Sequence, residues 1–190
     1  RRVLASLEAG IDTVLARGVA DPARIGLTGL SDGSSTVQFA LLNSDRFRAA
    51  AISTCCESAG ALATVGLAYS DSTTKWGYPA PGFDDPGFWK PYSLAANAEE
   101  MRVPLLIQVA DREYRLALET FAALDHARAP VEMYVFPDEY HIKYHPAHRL
   151  AIYERNLAWF DFWLNGQVSG DPGSAKTMAR WQALSARAAR

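Results

Sequence analysis

Four short apolar runs set between stretches of helical periodicity constrain this chain more than any other feature. Arg24 to Leu30, Phe47 to Thr54, Leu105 to Val109 and Val131 to Phe136 each read as a buried strand, bounded by turn residues or helical patterns. Val3, Leu4, Leu7, Ile11, Val14 and Leu15 recur at helical spacing, so residues 2–17 read as an amphipathic helix, with Gly18 placed to end it. Further helices are expected directly after Ser31, over 113–128 and over 147–164. Alternation of this kind means an α/β domain: a mostly parallel sheet with helices on both faces. Residues 66–100, rich in Gly, Pro, Ser, Asp and aromatics, are expected to form loops with short helices. The composition shifts after Gly166, so the domain is drawn as 1–166, with 167–190 a polar linker and a short terminal helix.

Composition narrows the function classes. With 190 residues, 49% of them hydrophobic, the chain has apolar material for one core. A net charge of −2 gives no reason to expect nucleic acid or an anionic membrane. No apolar run approaches the ~18 residues that a membrane span needs. Cys55 and Cys56 are adjacent, and neighbouring cysteines close a disulfide only with strain, so reduced thiols in a cytoplasmic protein are expected. The opening Arg1-Arg2-Val3-Leu4 carries neither Met nor a signal peptide and reads as a start inside a longer polypeptide.

Gly29-Leu30-Ser31-Asp32-Gly33 lies between the first strand and a helix. A strand that turns abruptly into a helix holds such a serine in a strained conformation, with its hydroxyl projecting above the sheet edge. Side chains two residues to either side are expected to collide, which would explain both glycines. Ser31 is therefore the candidate nucleophile, and the N–H of Asp32, at the helix N-terminus, the candidate oxyanion donor.

A serine nucleophile needs a base, and the base an orienting carboxylate. Asp111 follows the third strand and His141 follows the fourth, at the same sheet edge as Ser31. They are the expected carboxylate and base, with Glu113 and Asp138 as rival carboxylates and His145 as the reserve base. His141, His145 and His148 crowd one loop, but Pro146 is expected to break any helix that would align them, so no metal and no cofactor is expected. Trp76, Tyr78, Phe83, Phe88, Trp89 and Tyr92 form an aromatic stretch. Packing under the loops is the expected role for most of them, with Trp76, Tyr78 and Trp89 as candidate substrate contacts.

With Ser31, Asp111 and His141 in this order, the sequence resembles the catalytic domain of the prolyl oligopeptidase family of serine peptidases. The likeness runs from about Ala5 to Leu164. It includes Asp21-Pro22-Ala23-Arg24-Ile25-Gly26, Val103-Pro104-Leu105-Leu106-Ile107, Phe136-Pro137-Asp138-Glu139-Tyr140-His141, and Arg149-Leu150 with Tyr153-Glu154-Arg155 and Trp159-Phe160. The sequence departs from the family pattern at three places. Ser34 stands where a second glycine is usual, Gln108-Val109 where a His-Gly pair is usual, and Tyr140 where a glycine commonly precedes the histidine. Gly29 to Thr36 together with Ser53-Thr54-Cys55-Cys56-Glu57 is similar to the branch containing the lasso peptide isopeptidases.

The resemblance implies an α/β-hydrolase fold of which this chain is the C-terminal part. It implies a preceding part of the same protein that holds the remaining strands, a second oxyanion donor and a β-propeller, and a bacterial source. It also implies hydrolysis of the isopeptide bond of a threaded lasso peptide through an acyl-enzyme. The alternatives are a dipeptidyl or acylaminoacyl peptidase, an esterase, or a non-catalytic scaffold that binds a peptide.

Overall fold

The two central apolar runs become strands whose side chains on both faces find a helix to pack against. The computed structural model describes residues 1–54, 56–80, 85–168 and 174–188. Helix α1 (Arg2–Ala16) leads through a short 3-10 turn at Pro22–Arg24 into β1 (Gly26–Leu30), followed by α2 (Asp32–Asn43) and β2 (Ala49–Ser53). Three short helices, α3 (Ala59–Thr64), α4 (Leu67–Lys75) and α5 (Pro86–Trp89), and a 3-10 stretch at Ala95–Glu100 fill the long connection to β3 (Leu105–Ala110). Then come α6 (Tyr114–His126), β4 (Val131–Phe136), α7 (Pro146–Asn165) and α8 (Ala175–Ala188).

The strands form one parallel sheet in the order β1-β2-β3-β4, with Gly26 opposite Ala49, Ala50 opposite Leu105, and Leu105 opposite Val131. This is the expected α/β architecture. Alternate strand residues feed two cores. Ala50, Ile52, Leu105, Ile107 and Val109 pack with Leu4 and Ile11 of α1, Val37 and Leu41 of α2 and Leu124 of α6. Ala51 and Leu106 face the other way, onto Trp159 of α7 and Met178, Trp181 and Leu184 of α8.

Two expectations about burial change. β3 is buried along its whole length, but β1, a sheet edge with β2 as its one hydrogen-bonded neighbour among the described residues, alternates between exposed and half-buried residues, with less cover on one of its faces. The terminal helix is built into the structure: three of its side chains are buried, and Arg180 and Trp181 both bond the buried carboxylate of Glu132 on β4. No described helix is long and apolar enough to cross a membrane.

Cys56 is fully buried and disulfide-bonded, which overturns the expectation of reduced thiols. Cys55 and Phe83 lie outside the described residues.

Candidate active site

Helix α2 begins one residue after the serine, so the turn between β1 and α2 has no slack. Ser31 takes φ 59° and ψ −126°, a region costly for any residue with a side chain, and its hydroxyl does not cap the helix. Its N–H bonds the Ser53 carbonyl on β2, and its own carbonyl accepts from Ser34 N at 2.7 Å. A Cβ on Gly29 would stand 2.3 Å from the Gly33 carbonyl oxygen, so this position admits only glycine. Nothing lies within 4 Å of the corresponding point at Gly33. The expected collision is therefore real on one side of the serine and absent on the other, where the turn faces open space. Ser34 is fully buried, and its hydroxyl lies 3.0 Å from Gly29 O and 2.8 Å from Ser53 O, tying the ends of β1 and β2. The N–H groups of Asp32 and Gly33 open α2, where no helical carbonyl precedes them.

The base has a different carboxylate partner from the one expected. His141 Nδ1 lies 2.7 Å from Glu113 Oε1, and the hydroxyl of Thr54 donates to Glu113 Oε2 at 2.9 Å. Asp111 instead accepts the backbone N–H groups of Asp138 at 2.8 Å and Glu139 at 3.3 Å. The Asp138 N–H, with that of Glu139 in support, holds the Asp111 carboxyl below the ordinary carboxylate range. The reason is reach. Asp111 directly follows β3 and meets the neighbouring loop's backbone, whereas Glu113, two residues on and one methylene longer, arrives under the imidazole. The rival Asp138 contributes its N–H to Asp111 and sits at the turn with φ 56°. Thr54 helps aim Glu113 from φ 64°, a rare conformation for a β-branched residue.

Ser31, Asp32, Ser35, Thr54, Glu57, Glu113 and His141 line one cavity of about 570 Å³, with Trp76 and Tyr78 on its wall. No hydrogen bond joins Ser31 to His141 among the described residues; in unliganded sites that bond commonly closes only with substrate. Trp89, a candidate substrate contact, is buried beside Tyr78, Phe88 and Tyr92 and is not on the cavity wall. Burial raises the Tyr78 and Tyr92 hydroxyls above their ordinary value, so both stay neutral donors at physiological pH. A second cavity of about 490 Å³ opens between β1 and α7, lined by Gly29, Leu30, Gln108, Lys143 and Tyr153, and His141 borders this one too.

The reserve base His145 faces elsewhere. Glu139, His145 and His148 bring one carboxylate oxygen and two ring nitrogens within 4.8 Å of one another, a spacing that would suit a metal. Here both Nδ1 atoms lie against the same Glu139 oxygen, at 2.9 and 2.8 Å, so they form a hydrogen-bonded brace. Pro146 does not break the helix; it starts it, as the first residue of α7, where a missing N–H costs nothing.

Comparison with known proteins shows the family and the fold. The prolyl oligopeptidase family model matches residues 2–167. The chain is 48% identical over 185 residues to the lasso peptide isopeptidase AtxE2 of Asticcacaulis excentricus, covering 97% of this chain and 27% of that protein. A structure of a serine-to-alanine variant of AtxE2 isopeptidase with Astexin3-dC4 bound superposes with TM-score 0.91 at 46% identity, over 98% of this chain and 29% of the other. The Pyrococcus horikoshii acylaminoacyl peptidase, at 23% identity and TM-score 0.70 over 90% of this chain and 29% of its own, shares the fold. The chain thus spans little more than a quarter of the length of these relatives.

Proposed function

Because the chain belongs to the prolyl oligopeptidase family, we propose that it carries the catalytic residues of a serine hydrolase that opens the isopeptide bond of a lasso peptide. The observation that carries the chemistry is that Ser31, His141 and Glu113 line one cavity, with Glu113 seated on His141 Nδ1. The choice of an isopeptide bond rests on the 48% identity to a protein named for that activity.

His141 Nε2 takes the proton of Ser31 as the hydroxyl attacks the amide carbonyl carbon. Glu113 fixes the ring so that Nδ1 keeps its proton and Nε2 is free, and it stabilises the imidazolium that forms. The developing oxyanion meets the N–H of Asp32, with the field of the α2 N-terminus behind it. His141 returns the proton to the leaving amine, and water resolves the acyl-enzyme. An isopeptide carbonyl is an amide, so none of these steps changes; the cavity wall around Trp76 and Tyr78 has to admit a branched ring.

The remaining partner in this reading is a preceding part of the same polypeptide, which continues the sheet past β1, supplies the second oxyanion donor and adds a β-propeller. Its support is the open edge of β1 and the exposed apolar stripe Leu150, Tyr153 and Leu157 on α7. A cytoplasmic location loses its ground once Cys56 is disulfide-bonded, and the reading commits to a bacterial source alone.

The test is to incubate the full-length polypeptide with a threaded lasso peptide and, separately, with a proline dipeptide ester. Opening of the ring, seen as a gain of one water by mass spectrometry, is expected. Cleavage of the ester alone would turn the reading towards a dipeptidyl peptidase or esterase. Failure of a fluorophosphonate probe to label Ser31 would point to a non-catalytic scaffold.

A further inference from the structure

The loop that carries His141 is held by side chains. Among the described residues, no backbone–backbone hydrogen bond involves residues 138–144. Asp111 takes the N–H groups at the start of the loop, and Lys143, itself buried, donates to Ser53 Oγ at 3.0 Å and reaches the His141 carbonyl at 3.4 Å. The largest share falls to Glu139. Its side chain is fully buried. One oxygen accepts Tyr144 N at 2.9 Å; the other accepts His145 N at 3.1 Å, His145 Nδ1 at 2.9 Å and His148 Nδ1 at 2.8 Å. The Tyr144 ring packs on His145, and Phe136 on His148, so both donors are held in place.

From this geometry we infer that Glu139 is a positioning residue for the base. Starting two residues before His141, its carboxylate binds the chain three and four residues after it and the first turn of α7. The loop is drawn into a closed ring with His141 at its crest. His145 and His148 serve as donors to that carboxylate and not as spare bases. A buried carboxylate with four donors has one low-energy placement, so the backbone under His141 inherits a single position. Loss of the clamp lets the imidazole drift from the line between Ser31 and Glu113, and a displacement of about 1 Å there lowers the rate by about 10²-fold.

This rests on the hydrolase reading above, and its test separates the two. In the full-length polypeptide, Glu139→Gln replaces an oxygen with an amide N–H that faces donors. The rate of fluorophosphonate labelling and kcat are expected to fall by about 10²-fold, with KM within about twofold of the parent. A paired measurement covers a folding defect. His148→Asn keeps a donor close to the position of Nδ1 and should stay within about threefold of the parent, whereas His148→Leu should lose at least about tenfold. Labelling of Glu139→Gln at the parental rate, equal losses in the two His148 variants, or losses that only follow the folded fraction by circular dichroism would overturn the role of Glu139. A parent that does not label at Ser31 would instead remove the hydrolase reading itself.

Discussion

Replacing Glu113 by Gln removes the negative charge from His141 Nδ1 with almost no change of shape. The carboxylate and the imidazole are 2.7 Å apart at their nearest atoms, and the Glu113 side chain is 20% exposed. Two unit charges centred about 4 Å apart in a setting of effective dielectric about 20 attract by about 4 kcal/mol. The imidazole is 43% exposed, and solvent screening trims that to about 2–3 kcal/mol. At ~1.4 kcal/mol per decade, the charge alone is worth about 10²-fold in rate. The amide also disturbs the tautomer, so the full loss should reach about 10³-fold. Asp111→Asn, in contrast, removes a loop anchor and leaves Glu113 on the imidazole, so it should cost less than about tenfold. The assay is ester hydrolysis and probe labelling of the full-length polypeptide, scored as kcat/KM. If Asp111→Asn proves as damaging as Glu113→Gln, the assignment of the carboxylate is wrong.

Gly29→Ala should destroy the elbow and the activity, because its Cβ has only 2.3 Å to the Gly33 carbonyl oxygen, whereas Gly33→Ala should retain both; melting temperature and labelling of each variant decide this. Burial works to raise the Glu139 carboxyl, yet the donors from Tyr144, His148 and His145 outweigh it and hold the group at about 2 against an ordinary 4.5. Its folded value is depressed, so its stabilisation is complete above about pH 4.5 and is lost as pH falls towards 2. Melting curves in that range should fall more steeply for the parent than for Glu139→Gln. Trp181→Ala should destabilise by about 3–5 kcal/mol in chemical unfolding, since that ring is fully buried against Trp159.

Periodicity made the layers of this fold legible. Alternating apolar runs and helical stretches named all four strands and the long helices, because burial on both faces of a parallel sheet leaves a continuous apolar signal. The elbow was equally legible, since Gly29 answers to the Gly33 carbonyl only four residues on. Burial at the sheet edge was not, because a run such as Gly26 to Leu30 has the same letters whether or not a strand lies beside it. The role of α8 was hidden for a related reason: its apolar positions are sparse, and only packing showed that Trp181 and Met178 close the second core.

The division is sharpest at the loop after β4. Local sequence placed His141, Glu139, His145 and His148 together, but it could not say which carboxylate reaches which ring. Asp111 and Glu113 differ by two positions and one methylene, and both follow β3, so chain order alone favours neither. Their partners lie 25 to 30 residues away on another strand's loop, and only the register of β3 against β4 sets which side chain meets a backbone N–H and which meets an imidazole. The chemistry available to the chain is thus written in residue types and local turns. Its assignment to particular atoms is decided by tertiary distance, since a hydrogen bond forms or fails over a few tenths of an ångström.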